Sequence, residues 1–164
     1  IALAKGIASG LPLGAMVAAE EIMDWVPGSH ASTFGGHPVR CRAALETIKL
    51  LENGLIENAA EMGSYLKGEL GKLMEEQVLI GDVRGLGLMV GVEIVRDREK
   101  KTKAVDERNA IVQECFRRGL LILSCGETSL RFVPPLVVTR DHIDRALSIF
   151  EEVLRDITGR MRRA

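Results

Sequence analysis

Leu88-Met89-Val90-Gly91-Val92-Glu93-Ile94-Val95 is the stretch that decides the fold. Leu88, Val90, Val92 and Ile94 alternate with Met89, Gly91, Glu93 and Val95, the period of a strand with one face on a core. Upstream the period is different. Cys41, Ala44, Leu45, Ile48 and Leu51 recur at helical spacing and predict a helix ending near Asn53-Gly54, and Ala59, Met62, Leu66, Leu70 and Leu73 predict a second. Gly63, Gly68 and Gly71 each weaken that second helix by about 1 kcal/mol, and close packing is their expected reason. Downstream, the charged stretch 96–103 reads as a solvated connection. A helix is expected from about Val105 to Arg118, with Asp106 near its start and Gly119 closing it. Leu120-Leu121-Ile122-Leu123 and Leu130-Arg131-Phe132-Val133 are strand-like. A last helix, about 140–158, has Thr139 as its N-cap and the stripe Ile143, Ala146, Leu147, Phe150, Leu154 and Ile157. Two helices, then strand, helix, strand, strand, helix predict an α+β domain with a small, largely antiparallel sheet packed by helices.

The first 38 residues do not fit that unit. Residues 13–19 read as a short buried strand entered through the Gly10-Leu11-Pro12 turn, and 27–38 as a long loop rich in Gly and Pro. The chain therefore divides into the edge of another domain (1–38), a helical connection (39–75) and the α+β domain (76–164). It begins Ile-Ala-Leu-Ala-Lys without an initiator Met, as if cut within a strand, so a longer polypeptide is expected. The end, Gly159-Arg160-Met161-Arg162-Arg163-Ala164, reads as a glycine cap followed by a short basic tail.

Composition narrows the function. Over 164 residues, 22 Lys and Arg against 23 Asp and Glu leave a net charge of −1, without the basic excess of a nucleic-acid binder. Charged residues at 27% and apolar residues at 46% are ordinary globular values. No apolar run is long enough for a membrane span, so neither nucleic acid nor membrane is an expected partner. Three cysteines, none in a CxxC pair, predict neither a disulfide scaffold nor a zinc site, and point to a cytoplasmic setting with reduced thiols.

Four stretches can carry chemistry. Lys5 ends an apolar run in Ala4-Lys5-Gly6-Ile7. It is either a surface lysine at a strand end or an amine that desolvation makes available for a Schiff base. In Ser32-Thr33-Phe34-Gly35-Gly36-His37-Pro38 a hydroxyl precedes two glycines, which lets backbone approach a phosphate closely; an ordinary flexible loop has the same look. His30 and His37 lack a carboxylate partner and read as loop residues. Arg84-Gly85-Leu86-Gly87-Leu88-Met89-Val90-Gly91 superficially suggests a dinucleotide loop, but its glycines fall as GxGxxxG and a strand follows, so it reads as a tight turn. Arg131 faces away from Leu130 and Phe132, together with Ser129. A guanidinium fork on a rigid strand serves either a carboxylate ligand or a structural ion pair. Cys41, Cys115 and Cys125 read as small core residues.

ALAKGIASGLPLGA around Lys5, STFGGHP around Thr33, VRGLGLMVGVEI and LRFVPPL follow one another in an order that resembles the C-terminal part of class III (subgroup II) aminotransferases, the 4-aminobutyrate, ornithine and acetylornithine group. The resemblance implies pyridoxal 5′-phosphate as cofactor, and a remnant of the fold type I large domain at the N-terminus. Lys5 would match the Schiff-base lysine, which also shuttles the substrate proton. Thr33 would match the threonine reaching the phosphate held by a neighbouring subunit, so a homodimer or higher oligomer is implied. Arg131 would match the arginine that holds a substrate carboxylate. The implied reaction moves an amino group from 4-aminobutyrate or a related amino acid to 2-oxoglutarate. A racemase of the same group, or a non-catalytic fragment kept for assembly, is the alternative. The family's phosphate loop, the aromatic ring over the cofactor and the aspartate at the pyridine nitrogen should precede Lys5, so this chain alone is expected to be incomplete and inactive.

Overall fold

The computed structural model describes residues 1–161; the expected basic tail at 162–164 lies outside the described residues. The chain forms two compact units, Ile1–Leu55 and Ile56 onward. They part at a kink where Asn53 leaves helical geometry and Gly54 takes φ 115°, within the stretch expected as a helical connection.

In the first unit, β1 (Ala2–Leu3) pairs antiparallel with β2 (Ala15–Met16). The buried strand expected over 13–19 is not there: only Ala15 and Met16 pair, and both are exposed. β1 offers them just two partners before the chain turns at Lys5. Helix α1 (Pro38–Leu50) starts with Pro38 in its first turn, where a missing N–H costs nothing.

The second unit runs α2 (Ile56–Glu76), β3 (Ile80–Leu86), β4 (Met89–Asp97), β5 (Thr102–Lys103), α3 (Val105–Arg117), β6 (Leu123–Cys125), β7 (Ser129–Phe132) and α4 (Arg140–Met161). The sheet order is β3-β4-β7-β6, with β5 on the end of β4, and every pairing is antiparallel. The mixed helix-and-sheet architecture is that of the expected α+β class. Val90, Val92, Ile94, Leu130 and Phe132 point to one face and are buried with Leu66 and Leu70 of α2, Ile111 and Cys115 of α3, and Phe150, Val153 and Leu154 of α4. Phe132 and Phe150 meet edge to face at 5.2 Å, a favoured aromatic geometry. The helices therefore cover one side of the sheet. The alternate residues, Arg84, Gly91, Glu93, Ser129 and Arg131, lie on the other.

Several expectations need correction. β3 stands where only a tight turn was expected, because Gly81 and Gly85 within it carry no strand propensity. Gly85 and Gly87 instead build the hairpin: Leu86 pairs with Met89 around a two-residue Gly87-Leu88 turn, with Gly87 at φ 52°. At Gly85, φ is 151° and a side chain would overlap the Met89 carbonyl. The stretch 96–103 is more than a solvated connection, for it contains β5, and two of its arginines are structural. Arg96 Nε donates to Glu107 Oε1 at 2.7 Å. Arg98 donates to the carbonyls of Met74, Gln77 and Ile80. That fork closes α2, whose last turn ends in Glu75-Glu76 and has no cation of its own against the negative helix end. The strand expected at 120–123 forms later, at Leu123–Cys125. Gly159 does not cap the last helix, which continues through it to Met161. At that helix's start, the Thr139 N–H donates to His142 Nδ1 and the Thr139 hydroxyl lies 2.8 Å from the same nitrogen, so the histidine side chain reaches back to Thr139 while neither contact involves a helix N–H. Among the cysteines only Cys115 is a core residue; burial pushes its thiol up to about 12, while Cys125 is exposed and Cys41 half-buried.

Close packing explains one glycine of α2, not three. A methyl at Gly63 would overlap the backbone of Gly87, whereas nothing lies within 4 Å of the corresponding positions at Gly68 and Gly71. Gly63→Ala should therefore lose about 3 kcal/mol through overpacking despite its better helix propensity. Gly68→Ala should gain about 0.5–1 kcal/mol. Denaturant unfolding of the two variants checks this, and equal midpoints would contradict it.

Candidate functional site

Lys5 stands where β1 ends. Ala4 is still extended, and Lys5 opens a short 3-10 turn (Lys5–Ala8) with φ 53°, a left-handed conformation that non-glycine residues rarely adopt. Ser9 closes the turn at φ 47° and Gly10 follows at φ 101°. Backbone bonds from Ile7 to Ala4 and from Ser9 to Gly6 hold it. Ala8 is its one buried residue, α1 packs against it, and Ser9 Oγ lies 2.8 Å from Thr47 Oγ1, which itself donates to the Ala43 carbonyl. The desolvation expected at Lys5 is not supplied by these residues: β1 is exposed and so is Lys5. Among the described residues no hydrogen bond or ion pair engages its amine.

Thr33 belongs to the same unit, in an exposed turn at 33–36 just before α1. The Gly35 N–H donates to the Ser32 carbonyl at 3.2 Å, and Gly36 takes φ 66°. Arg40 lies over the Phe34 ring at 5.3 Å, and Trp25 and His30 face each other at 6.1 Å. These groups, with Ser32 and Gly36, line a cavity of about 550 Å3 beside β2. His37 precedes α1 with its Nδ1 buried and unpaired.

Arg131 belongs to the second unit, half-buried in β7 on the sheet face away from the helices. In register it stands opposite Gly91 of β4 and Leu123 of β6. Its Nε is buried without a hydrogen-bond partner, and among the described residues no carboxylate lies at ion-pair distance from it. The structural ion pair that the sequence left open is therefore absent among those residues. Lys5 and Thr33 share a unit; Arg131 is in the other.

Sequence reasoning missed a polar network one pleat away. Arg84 Nη1 donates to Asp82 Oδ2 at 2.7 Å, while its Nη2 donates to Glu93 Oε2 at 2.9 Å and to Ser129 Oγ at 3.2 Å. Glu93 also accepts from Ser129 Oγ at 2.6 Å and from the Thr128 hydroxyl. Burial alone would raise the Glu93 pKa, but hydrogen bonds from Ser129, Thr128 and Arg84 outweigh it and hold the carboxyl below its ordinary range. A cleft of about 630 Å3 opens over this network, bounded by Arg84 and Ser129 on the side toward Gly91 and Arg131. Alternation along β4 and β7 placed Glu93 and Ser129 on this face, but only the register with β3 brings Arg84 to them. Among the described residues, no group of three or more His, Cys, Asp or Glu is placed to hold a metal ion, and no helix is long and apolar enough to cross a membrane.

With this geometry in view, comparison with known proteins is specific. Residues 1–154 match the class III aminotransferase family, and the chain belongs to that family. It is 42% identical over 159 residues to the leucine/methionine racemase of Thermococcus litoralis, covering 96% of this chain and 36% of that protein. It is 39% identical over 156 residues to the acetylornithine aminotransferase of Caldanaerobacter subterraneus subsp. tengcongensis, covering 94% and 37% respectively. An aminotransferase of Bacillus anthracis of known structure superposes with a TM-score of 0.87 at 34% identity, over 94% of this chain and 38% of its own. The chain thus spans little more than a third of the length of the relatives it matches. Class III aminotransferases are pyridoxal-5′-phosphate-dependent enzymes.

The Glu93 network predicts a pH dependence of stability. Because the folded pKa lies below the unfolded one, Glu93 stabilises the fold at neutral pH and loses that contribution as pH falls below about 4.3 toward its lowered value. Glu93→Gln should melt at lower temperature than the parent at pH 7, with the gap narrowing in acid. Thermal melts across pH 3–7 test it, and a gap independent of pH would contradict it.

Proposed function

We propose that this chain is the C-terminal portion of a pyridoxal-5′-phosphate-dependent aminotransferase, with the first unit as the edge of its cofactor-binding domain. The observation that carries this reading is Lys5. A lysine in the left-handed region costs on the order of 1–3 kcal/mol, and such strain persists where the surrounding structure holds it for a purpose. The residues present suit the cofactor. Lys5 offers an exposed amine that the described residues leave uncommitted, and Thr33 offers a hydroxyl in a glycine-flanked turn whose backbone is open to a phosphate.

Pyridoxal 5′-phosphate, when bound, supplies the electron sink that makes a proton on the substrate carbon removable. Lys5 would hold the cofactor through Nζ and, once displaced by the substrate amine, take that proton and return it. Thr33 would donate its hydroxyl to a phosphate held in a second copy of the protein, which makes a homodimer or larger assembly part of the site. Arg131 would grip a substrate carboxylate with its fork. We read the amino donor as 4-aminobutyrate or a related ω-amino acid and the acceptor as 2-oxoglutarate. N-acetylornithine, whose free amine is also terminal, is the donor suggested by the name of one relative. The three free thiols suit a cytoplasmic setting.

A second reading is supported by the 42% identity to a racemase. The Lys5 chemistry serves both reactions, and the two are separated by supplying a single chiral amino acid without any oxo acid. A racemase keeps interconverting the enantiomers, whereas an aminotransferase stops after one half-reaction.

In the full-length protein, Lys5→Ala should abolish the visible absorption band of the lysine-bound cofactor and lower turnover by at least about 10²–10⁴-fold. A variant that retains both would overturn the assignment of Lys5. The 164-residue chain alone, given the cofactor, should not transaminate. Robust turnover by it would show that the site needs nothing more.

A further inference from the structure

Gly91 sits in the middle of β4, where glycine weakens a strand and gives nothing to the packing. Its usual justifications fail here. Its φ is not in the left-handed region. A methyl built on it would meet only the Arg84 carbonyl at 3.8 Å, Arg84 Cγ at 3.9 Å and the Leu130 carbonyl at 4.0 Å, all ordinary contacts. Neither the backbone nor the neighbours within this chain require a glycine. In strands, a glycine with no such need marks a place where a ligand or another backbone comes close.

The register says what stands beside the opening. Gly91 pairs with Arg84 on one side and Arg131 on the other, so one row across the open face reads arginine, bare backbone, arginine. The two arginines differ. Arg84 is committed to Asp82, Glu93 and Ser129. Arg131 is not: its buried Nε has no partner, and an unsatisfied buried donor is a cost that a ligand can relieve. Directly opposite residues on adjacent strands have their Cβ positions about 5 Å apart, so a group held by Arg131 lies within reach of the gap over Gly91. Arg108 also has a buried, unpaired Nε, but it belongs to the buried stripe of α3 with Ile111 and Cys115.

We propose that Gly91 is a specificity-determining residue: its missing side chain leaves the floor on which a substrate carboxylate, held by Arg131, lies flat against the sheet. This rests on the reading of Arg131 as the carboxylate arginine. Arg84, locked by its two carboxylates, borders the floor without adding a second free cation, so this part of the site takes one carboxylate group.

The test is titration calorimetry of the full-length protein, loaded with cofactor, against glutarate, a dicarboxylate that carries no amino or oxo group. Gly91→Ala should weaken binding by about tenfold, the cost of one misplaced methyl in a close pocket, with an unchanged or raised Tm. Arg131→Ala should weaken it as well. If Arg131→Ala binds less tightly but Gly91→Ala binds like the parent, the role of Gly91 is overturned and that of Arg131 stands. If Arg131→Ala leaves binding unchanged, or the parent does not bind glutarate, the reading of Arg131 fails and Gly91 falls with it. A Gly91→Ala protein that loses Tm along with binding makes Gly91 a packing residue and overturns the proposal.

Discussion

The second unit depends on one close approach. Helix α2 comes so near the β3–β4 turn that the backbone at Gly63 and the backbone at Gly87 leave no room for a side chain between them. That approach brings Leu66 and Leu70 down onto the sheet, where they share the core with Val90, Val92 and Ile94. It also sets the hairpin whose register fixes which residues share a row. Interiors are packed too densely to absorb a methyl between two backbones by small adjustments. Arg98 secures the other end of α2, where its fork replaces the missing cation of the last turn. Between these two anchors the position of α2 on the sheet is determined, and so is the face the sheet leaves open.

How far this was legible in the sequence depended on whether side chains or backbone carried the information. The stripe of α4 and the alternation of β4 are side-chain patterns, and Ile143, Phe150, Leu154, Val90 and Val92 are buried as their periods imply. Arg131 was placed on the correct face by the same alternation. β3 was hidden because its signal is backbone geometry at glycines, which a hydropathy pattern does not register. The role of Gly63 was seen, but Gly68 and Gly71 share its residue type without its neighbour, and no local rule distinguishes them. The left-handed turn at Lys5 was illegible for a related reason: lysine has no preference for that conformation, and bonds around the turn impose it. The Glu93 network needs three strands in register before it exists.

The arginines of the second unit differ in whether they are partnered. Arg84, Arg96, Arg98, Arg118 and Arg140 are each tied to carboxylates or carbonyls. Most of these pairs are exposed, where solvent screening leaves them modest in energy. Their effect is to spend charge locally. On the open face Arg84 is paired and Arg131 is not, and a single free fork suits the selective clamp proposed for Arg131 better than several free guanidinium groups would. Arg131 is the one on this face without a partner among the described residues, and it stands next to the one residue of its row that has no side chain.

The proposed roles of Lys5 and Arg131 fall in different units, and the physics of each unit suits the role proposed for it. For Lys5 to serve as the proposed reacting amine it has to project from a rigid turn, and the first unit stiffens its turn by tying Ser9 to Thr47 of α1 and burying Ala8. A carboxylate clamp has to be flat and pre-organised, because a fork that must first be ordered loses part of its binding energy to entropy. A strand in the middle of an antiparallel sheet meets that need better than a loop, since β7 is held by β4 on one side and β6 on the other. On the proposed reading, the amine lies on a turn and the clamp on a sheet, each on an element whose stiffness suits it.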